Sequence, residues 1–139
     1  MINPTSAVAT KVVVVVEDDP AILALCRVTF QRAQEGPLRG VRMVDAMDLE
    51  TARLVIAAEA PDILVMDVRL PDGNGLDLVR DLARSDTPGR ARVIIASASV
   101  LPAEREAALA AGADRFLPKP YRPADLVDAV VDLLREPSA

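Results

Sequence analysis

Short apolar runs rich in valine and isoleucine recur along the chain, and each is bounded by residues that commonly end strands. The runs are VVVVV at 12–16, VRMV at 41–44, ILVM at 63–66, VIIA at 93–96 and a weaker RFL at 115–117. They are largely continuous instead of alternating with polar residues. Continuous apolar strands are typical of a parallel sheet that is covered on both faces, so the pattern predicts five buried parallel strands.

The intervals between these runs have the spacing of amphipathic helices. In the first and last intervals, apolar residues recur at steps of three or four: Ile22, Cys26 and Phe30, then Leu126, Val130 and Leu133. Residues 49–58, 76–83 and 102–111 fill the other three intervals. Strand and helix therefore alternate five times. This order predicts an α/β fold in which a doubly wound, five-stranded parallel sheet carries helices on both faces.

Local signals predict where helices and the domain begin and end. Asp19 before Pro20 is expected to cap the first helix, with the proline at its first position, and Pro123 is expected to open the last helix. Gly112 follows the fourth helix as a C-terminal cap. We expect one domain over residues 11–135, with flexible tails at 1–10 and 136–139.

Composition narrows the classes of function. The chain has 16 basic and 21 acidic residues and a net charge of −5, and no Lys/Arg-rich block, which argues against direct nucleic-acid binding. No apolar stretch approaches the roughly 20 residues of a spanning helix, and the N-terminus lacks a signal-peptide pattern, so we expect a cytoplasmic protein without membrane insertion. Cys26 is the single cysteine and histidine is absent, which excludes an internal disulfide, the usual zinc sites and histidine acid–base catalysis.

Polar side chains follow four of the five predicted strands. They are Glu17 and Asp18 after the first, Asp67 after the third, Ser97 after the fourth and Lys119 after the fifth. The second strand offers only Asp45. Because ligands of open parallel sheets bind outside the carboxyl ends of the strands, we expect the acids, the hydroxyl and the ammonium group to meet at one edge.

These residue types favour phosphoryl chemistry when they lie together. Three clustered carboxylates resist simultaneous ionisation unless a cation joins them, and an all-oxygen site of this kind suits Mg2+. A lysine and a hydroxyl would neutralise an incoming phosphoryl group, and an aspartate that attacks phosphorus gives an acyl phosphate. Taken singly, each residue is more typical of a helix cap, a turn or a surface charge. Their joint placement at four strand ends is what favours phosphoryl transfer onto a carboxylate.

Four segments in this order resemble response-regulator receiver domains, the chemotaxis-regulator-like phosphoacceptor modules of two-component signalling: VVVVVEDDP, VMDVRLPDGNG, VIIASAS and FLPKPY. The resemblance covers about residues 10–135. It implies a flavodoxin-like strand order of 2-1-3-4-5 and phosphorylation of Asp67. It also implies that Mg2+ is bound by Glu17, Asp18, Asp67 and the backbone carbonyl of Arg69, with Asp18 binding directly and Glu17 mainly through water.

The resemblance assigns further roles around the phosphoryl group. Ser97 and Lys119 would bind the phosphoryl oxygens, and Ser97 would couple to Phe116, the switch aromatic, when the hydroxyl is drawn inward. Arg69 and Ser99 would tune the rate at which the phosphoryl group is lost. Pro120 would be a candidate cis proline after Lys119.

The implied function is a phosphorylation switch. A phosphohistidine on a histidine kinase or histidine phosphotransfer protein would donate to Asp67. The face made by the fourth helix, fifth strand and fifth helix would then change its affinity for an unknown downstream protein, or for a second copy in a phosphorylation-dependent dimer. The protein would not be an enzyme beyond self-catalysed phosphorylation and autodephosphorylation.

Two alternatives stay open from the sequence. The chain could be the receiver fragment of a longer regulator whose output domain lies outside it. An aspartyl-phosphate phosphatase of the haloacid-dehalogenase type is less favoured, because such enzymes need a second acid two residues after the nucleophile as a proton donor. That position is occupied by Arg69.

Overall fold

Five parallel strands form one sheet in the computed structural model, which describes residues 10–85, 90–99 and 101–136. The strands are β1 (Lys11–Val16), β2 (Val41–Ala46), β3 (Ile63–Asp67), β4 (Arg92–Ser97) and β5 (Arg115–Pro118). Their order across the sheet is β2-β1-β3-β4-β5, and every pairing is parallel. The predicted fold class and strand order are therefore confirmed. Of the predicted tails at 1–10 and 136–139, residues 1–9 and 137–139 lie outside the described residues.

Each strand is followed by a helix, as the apolar spacing predicted. The helices are α1 (Pro20–Ala33), α2 (Leu49–Glu59), α3 (Gly75–Ala83), α4 (Pro102–Ala111) and α5 (Pro123–Arg135). A short hairpin between β3 and α3 pairs Arg69–Leu70 with Gly73–Asn74 in antiparallel fashion. None of the helices in the described ranges combines the length and the apolar character that crossing a bilayer requires.

The valine run of β1 supplies both faces of the core. Val13 and Val15 pack with α1 and α5, whereas Val12, Val14 and Val16 pack with α2, α3 and α4. Successive side chains of a strand point to opposite faces, so a strand that is covered twice must be apolar at every position. Burying one such side chain contributes roughly 1.5–3 kcal/mol. The core therefore fixes β1 firmly and sets where the acids that follow it must lie.

Helix ends follow the predicted signals. The Asp19 carboxylate accepts a hydrogen bond from the Ala21 N–H at 2.9 Å, and Pro20 occupies the first helical position of α1. Gly112 ends α4 with φ +120°, a backbone conformation that glycine adopts without a Cβ penalty. Asp19 is thus a structural cap, which separates it from the two acids before it.

The amino edge of the sheet carries two aspartates with structural contacts. Asp62, just before β3, accepts the Val12 N–H at 2.8 Å. Asp114, just before β5, accepts the Val93 N–H at 2.8 Å. Because each carboxylate completes the hydrogen bonding of a strand at its first residues, both acids help to anchor the sheet.

Candidate functional site

Three carboxylates meet at the carboxyl edge of the sheet, where β1 and β3 end. One oxygen from each of Glu17, Asp18 and Asp67 lies within 4.8 Å of the others. Glu17 and Asp67 are only 3% and 8% exposed, whereas Asp18 is exposed. The edge therefore holds two buried carboxyl groups and a third that faces solvent, as the strand-end positions predicted.

Lys119 bridges the two buried acids. Its Nζ lies 2.5 Å from Glu17 Oε1 and 3.1 Å from Asp67 Oδ2. The lysine follows β5 at a cis peptide bond to Pro120, and its own N–H donates to the Ser97 carbonyl at 2.8 Å. The candidate cis proline is therefore confirmed, and the backbone of β4 holds Lys119 in place.

Burial and charge act against each other at this site. Burial raises the pKa of the Glu17 carboxyl, the Lys119 hydrogen bond lowers it only in part, and the charge of Asp67 raises it further. Burial also disfavours the charged form of Lys119, but its contacts with Glu17 and Asp67 outweigh that effect and raise the pKa of the ammonium group. The lysine therefore stays charged, and the acids around it remain short of positive charge.

Ser97 ends β4 at the rim of a cleft of about 530 Å³ that also contains Asp18, Asp67 and Lys119. The Ser97 side chain is buried, and its Oγ accepts the Ser99 N–H at 3.1 Å. A hydroxyl fixed in this way lies on the same edge as the ammonium group and the acids. The structure thus brings together the five side chains that sequence analysis placed at strand ends.

The segment after Asp67 passes close to the phosphoacceptor candidate. The Arg69 N–H lies 3.4 Å from Asp67 Oδ1, and the Gly75 N–H donates to the Val68 carbonyl at 2.7 Å. A Cβ on Gly75 would lie 2.2 Å from the backbone oxygen of Asp67, so a larger residue would displace this turn. The glycine is needed for close approach of the loop to the strand end.

The residues predicted to tune or switch the site lie around the same cleft. Arg69 and Ser99 both line it, and their effect on phosphate loss stays a prediction. Phe116 is half-buried against the core, and the Arg105 guanidinium carbon lies 5.9 Å from the centroid of its ring. Coupling of Phe116 to Ser97 also stays a prediction.

Three features of this edge were missed by sequence reasoning. Glu104, from the first turn of α4, lines the cleft, and the ring contact with Arg105 joins α4 to β5. The double contact of Lys119 was also unforeseen, because no spacing in the sequence reports how far a side chain reaches. Asp45, the acid at the second strand, lies within β2 and pairs with Arg27 of α1.

The donor set fits a hard divalent cation. All three candidate ligands offer carboxylate oxygens, which suit Mg2+ better than softer metals. One ligand is exposed, which leaves room for the water molecules that Mg2+ usually keeps. Lys119 and Ser97 lie in the same cleft as Asp18 and Asp67. The carboxyl edge of the parallel sheet therefore forms a site that is suited to bind a cation and an anionic group together.

Comparison with known proteins identifies the family. The family model described as response regulator receiver domain matches residues 13–131, and the chain belongs to this family. It is 38% identical over 128 residues to the KDP operon transcriptional regulatory protein KdpE of Escherichia coli K12, covering 91% of this chain and 52% of KdpE. The chain thus spans about half the length of the curated relatives it matches.

Solved structures agree with this assignment. A signal receiver domain from Bermanella marisrubri aligns with a TM-score of 0.79 at 25% identity, over 91% of this chain and 99% of that one. The BeF3-activated N-terminal receiver domain of Klebsiella pneumoniae RstA aligns with a TM-score of 0.78 at 25% identity, over 91% and 100%. Both structures are receiver domains, which agrees with the family match and not with the haloacid-dehalogenase-type alternative.

Proposed function

We propose that this chain accepts a phosphoryl group from a phosphohistidine onto Asp67, with Mg2+, and thereby switches the binding of a partner protein. The observation that carries the proposal is the contact of Lys119 with both Glu17 and Asp67, beside the exposed Asp18. One ammonium group cannot balance three carboxylates and a phosphoryl group. A site with this charge deficit is suited to bind a divalent cation.

The transfer would use the Asp67 carboxylate as the nucleophile. Its oxygen would form a bond to phosphorus while the bond from phosphorus to the histidine nitrogen breaks, and the electron pair would return to the imidazole. Lys119 and the Ser97 hydroxyl would donate hydrogen bonds to the phosphoryl oxygens. Bound Mg2+ would neutralise charge on the phosphoryl group and be held by Glu17, Asp18, Asp67 and the Arg69 carbonyl.

The switch would act through the groups that hold the phosphoryl oxygens. Drawing the Ser97 hydroxyl inward would open space beside β4, and Phe116, which is only half-buried, would repack into it. That movement would release the ring from Arg105 of α4. The face formed by α4, β5 and α5 would then present a different surface to a downstream protein or to a second copy of the chain.

The family suggests the phosphoryl donor of this switch and the kind of domain that it would control. The donor would be a histidine kinase or a histidine phosphotransfer protein in the cytoplasm. We propose no reaction beyond self-catalysed phosphorylation and autodephosphorylation. KdpE is about twice as long as the matched region and is described as a transcriptional regulatory protein, so we propose that an output domain is joined to this module.

Phosphorylation by a small donor tests the proposal directly. The protein is incubated with acetyl phosphate and Mg2+, and intact-mass spectrometry measures the added phosphoryl group. Wild type and Asp62→Asn, a strand-adjacent acid at the opposite edge, should each gain one group, and Asp67→Asn should gain none. Phosphorylation of Asp67→Asn, or failure of the wild type to react, would overturn the assignment.

A further inference from the structure

Asp72 joins the loop that follows the phosphoacceptor to a neighbouring helix. Its Oδ1 accepts the Leu49 N–H at 2.8 Å, and its Oδ2 accepts the Glu50 N–H at 3.0 Å. These donors are the first two residues of α2, whose N–H groups have no partner within the helix. The Asp72 carboxylate thus accepts hydrogen bonds at the start of α2, although it lies 22 to 23 residues further along the chain.

Asp72 lies at the tip of the short hairpin formed by Arg69–Leu70 and Gly73–Asn74. At the other end of this hairpin, the Arg69 N–H lies 3.4 Å from the carboxylate of Asp67. A two-residue ladder is weak by itself, because isolated hairpins are only marginally stable in water. The contact with α2 therefore restrains a segment whose other end touches the reacting carboxylate.

Packing strengthens this connection. Leu49 is buried, and its Cδ1 would lie 3.0 Å from a Cβ built on Gly73. Gly73 has φ +150°, a conformation that favours glycine. The hairpin tip is therefore hydrogen-bonded to the first residues of α2, and the Leu49 side chain leaves little room for a Cβ at Gly73. Helix α2 itself packs on the sheet beside β1 and β2.

We infer that Asp72 is a positioning residue for the cation and phosphoryl site: it holds the backbone of Arg69 against Asp67 by fixing the hairpin tip to α2. This inference rests on the proposed function, because it assigns the Arg69 backbone a place in the Mg2+ site. Asp72 touches neither the cation nor the phosphoryl group. It acts through the hairpin, as outer partners of a metal site do when they orient its ligands.

Asp48 provides a matched control on the same helix. It is the N-cap residue of α2, and its Oδ1 accepts the Thr51 N–H at 2.7 Å. Asp48 and Asp72 therefore serve neighbouring N–H groups of one helix end. Losing either carboxylate should therefore weaken the start of α2. Of the two residues, only Asp72 lies on the hairpin, so its loss should also free the loop.

The test measures Mg2+ affinity and thermal stability of Asp72→Ala, Asp72→Asn and Asp48→Ala by calorimetric titration and melting. We expect Mg2+ affinity to fall about tenfold in Asp72→Ala, the lower range for outer partners of a metal site. It should fall less in Asp72→Asn, which keeps one acceptor oxygen. Asp48→Ala should lower the melting temperature but keep Mg2+ affinity within about twofold, since only the helix cap is lost.

Two results would overturn the positioning role. Equal loss of Mg2+ affinity in Asp72→Ala and Asp48→Ala would show that helix stability alone matters, and unchanged affinity in Asp72→Ala would show that the hairpin needs no anchor. Failure of the proposed function looks different: the wild type itself would then bind no Mg2+ and take up no phosphoryl group from acetyl phosphate. That result would overturn both proposals together.

Discussion

Aspartates lie beside strand ends at both edges of the sheet, but the two edges differ in how the carboxylates are paired with positive charge. At the amino edge, Asp62 and Asp114 each accept a backbone N–H at 2.8 Å and lie 3.8 Å from a basic side chain, Lys11 or Arg92. At the carboxyl edge, three acids lie within 4.8 Å of one another, with Lys119 between two of them.

The difference separates structural acids from reactive ones. Glu17 and Asp67 also accept backbone N–H groups, so this contact alone does not separate the two edges. The amino-edge acids each face a basic side chain of their own, whereas Glu17 and Asp67 share the ammonium group of Lys119. A cluster of buried carboxylates with too little positive charge gains free energy by binding a cation or a proton. Proximity to a strand end therefore does not define the function of an aspartate, but the balance of positive and negative charge around it does.

The largest expected effect separates two adjacent acids at the carboxyl edge. Asp18→Asn should weaken Mg2+ binding by at least about tenfold, because a candidate ligand loses its charge. Asp19→Asn should change the affinity by less than about twofold, because asparagine also caps helices well. Calorimetric Mg2+ titration measures both variants. Similar losses would contradict the division between a metal ligand and a structural cap.

Removing Lys119 should lower the free energy of unfolding, because the site then has even less positive charge. Lys119→Met leaves Glu17 and Asp67 without their shared cation, and we expect a loss of about 2 kcal/mol in the free energy of unfolding with a chelator present. This value lies below the cost for a fully buried pair, since the Lys119 side chain is 15% exposed.

The amino edge offers the matched control for that variant. The Lys11 side chain is 52% exposed where it faces Asp62, so Lys11→Met should cost no more than about 0.5 kcal/mol. Urea unfolding in the chelator measures both variants. Equal losses in Lys119→Met and Lys11→Met would show that the two edges hold their charges alike.

An amino-edge acid should affect stability and leave the cation site intact. Asp114→Ala removes the side-chain acceptor of the buried Val93 N–H, and we expect a loss of about 1.5 kcal/mol from the unpaired donor. Asp114→Asn keeps an acceptor oxygen and should lose less. Mg2+ affinity should match the wild type in both variants. Weakened Mg2+ binding in a folded Asp114→Ala protein would contradict the view that the amino-edge acids have a structural role only.

The smallest expected effect is a pH dependence at Asp72, which lies near the carboxyl edge and accepts one backbone hydrogen bond at each carboxylate oxygen. Hydrogen bonds from the Leu49 and Glu50 N–H groups hold the pKa of its carboxyl below the usual range. An aspartate of the unfolded chain takes up its proton near pH 3.9, so the stability from this contact is complete above roughly that pH. It is lost as the pH falls through the lower pKa of the folded state.

Asp72→Asn isolates this contribution. The difference in melting temperature between the wild type and Asp72→Asn should be largest near neutral pH and should shrink as the pH falls below about 4. Melting curves over a pH series measure it. A difference that stays constant into strong acid would show that the charge of Asp72 contributes nothing to its contact with α2.

The fold followed from the sequence because the signals were local. A run such as Val12–Val16 can be apolar at every position only if both faces of its strand are covered, and parallel strands bring their carboxyl ends to one edge. Glu17, Asp67 and Lys119 could therefore be placed together before their distances were known. The cap at Asp19 was equally local, since its hydrogen bond spans two residues.

The missed features depend on side-chain reach between distant segments. The 2.5 Å contact of Lys119 with Glu17 joins residues 102 positions apart, and Asp72 meets Leu49 across 23 positions. Asp45 follows the same strand-end logic as Asp67 but pairs with Arg27 of α1 instead. Position along a strand predicts which edge a residue occupies, and the three-dimensional packing decides which partner it finds.

Binding of beryllofluoride, a mimic of the phosphoryl group, tests the central claim that the carboxyl edge is built for a cation and a phosphoryl group together. Calorimetric titration should show saturable binding to the wild type with Mg2+, and none with a chelator or in Asp67→Asn. Binding that persists without Mg2+, or that survives loss of the Asp67 carboxylate, would contradict the account.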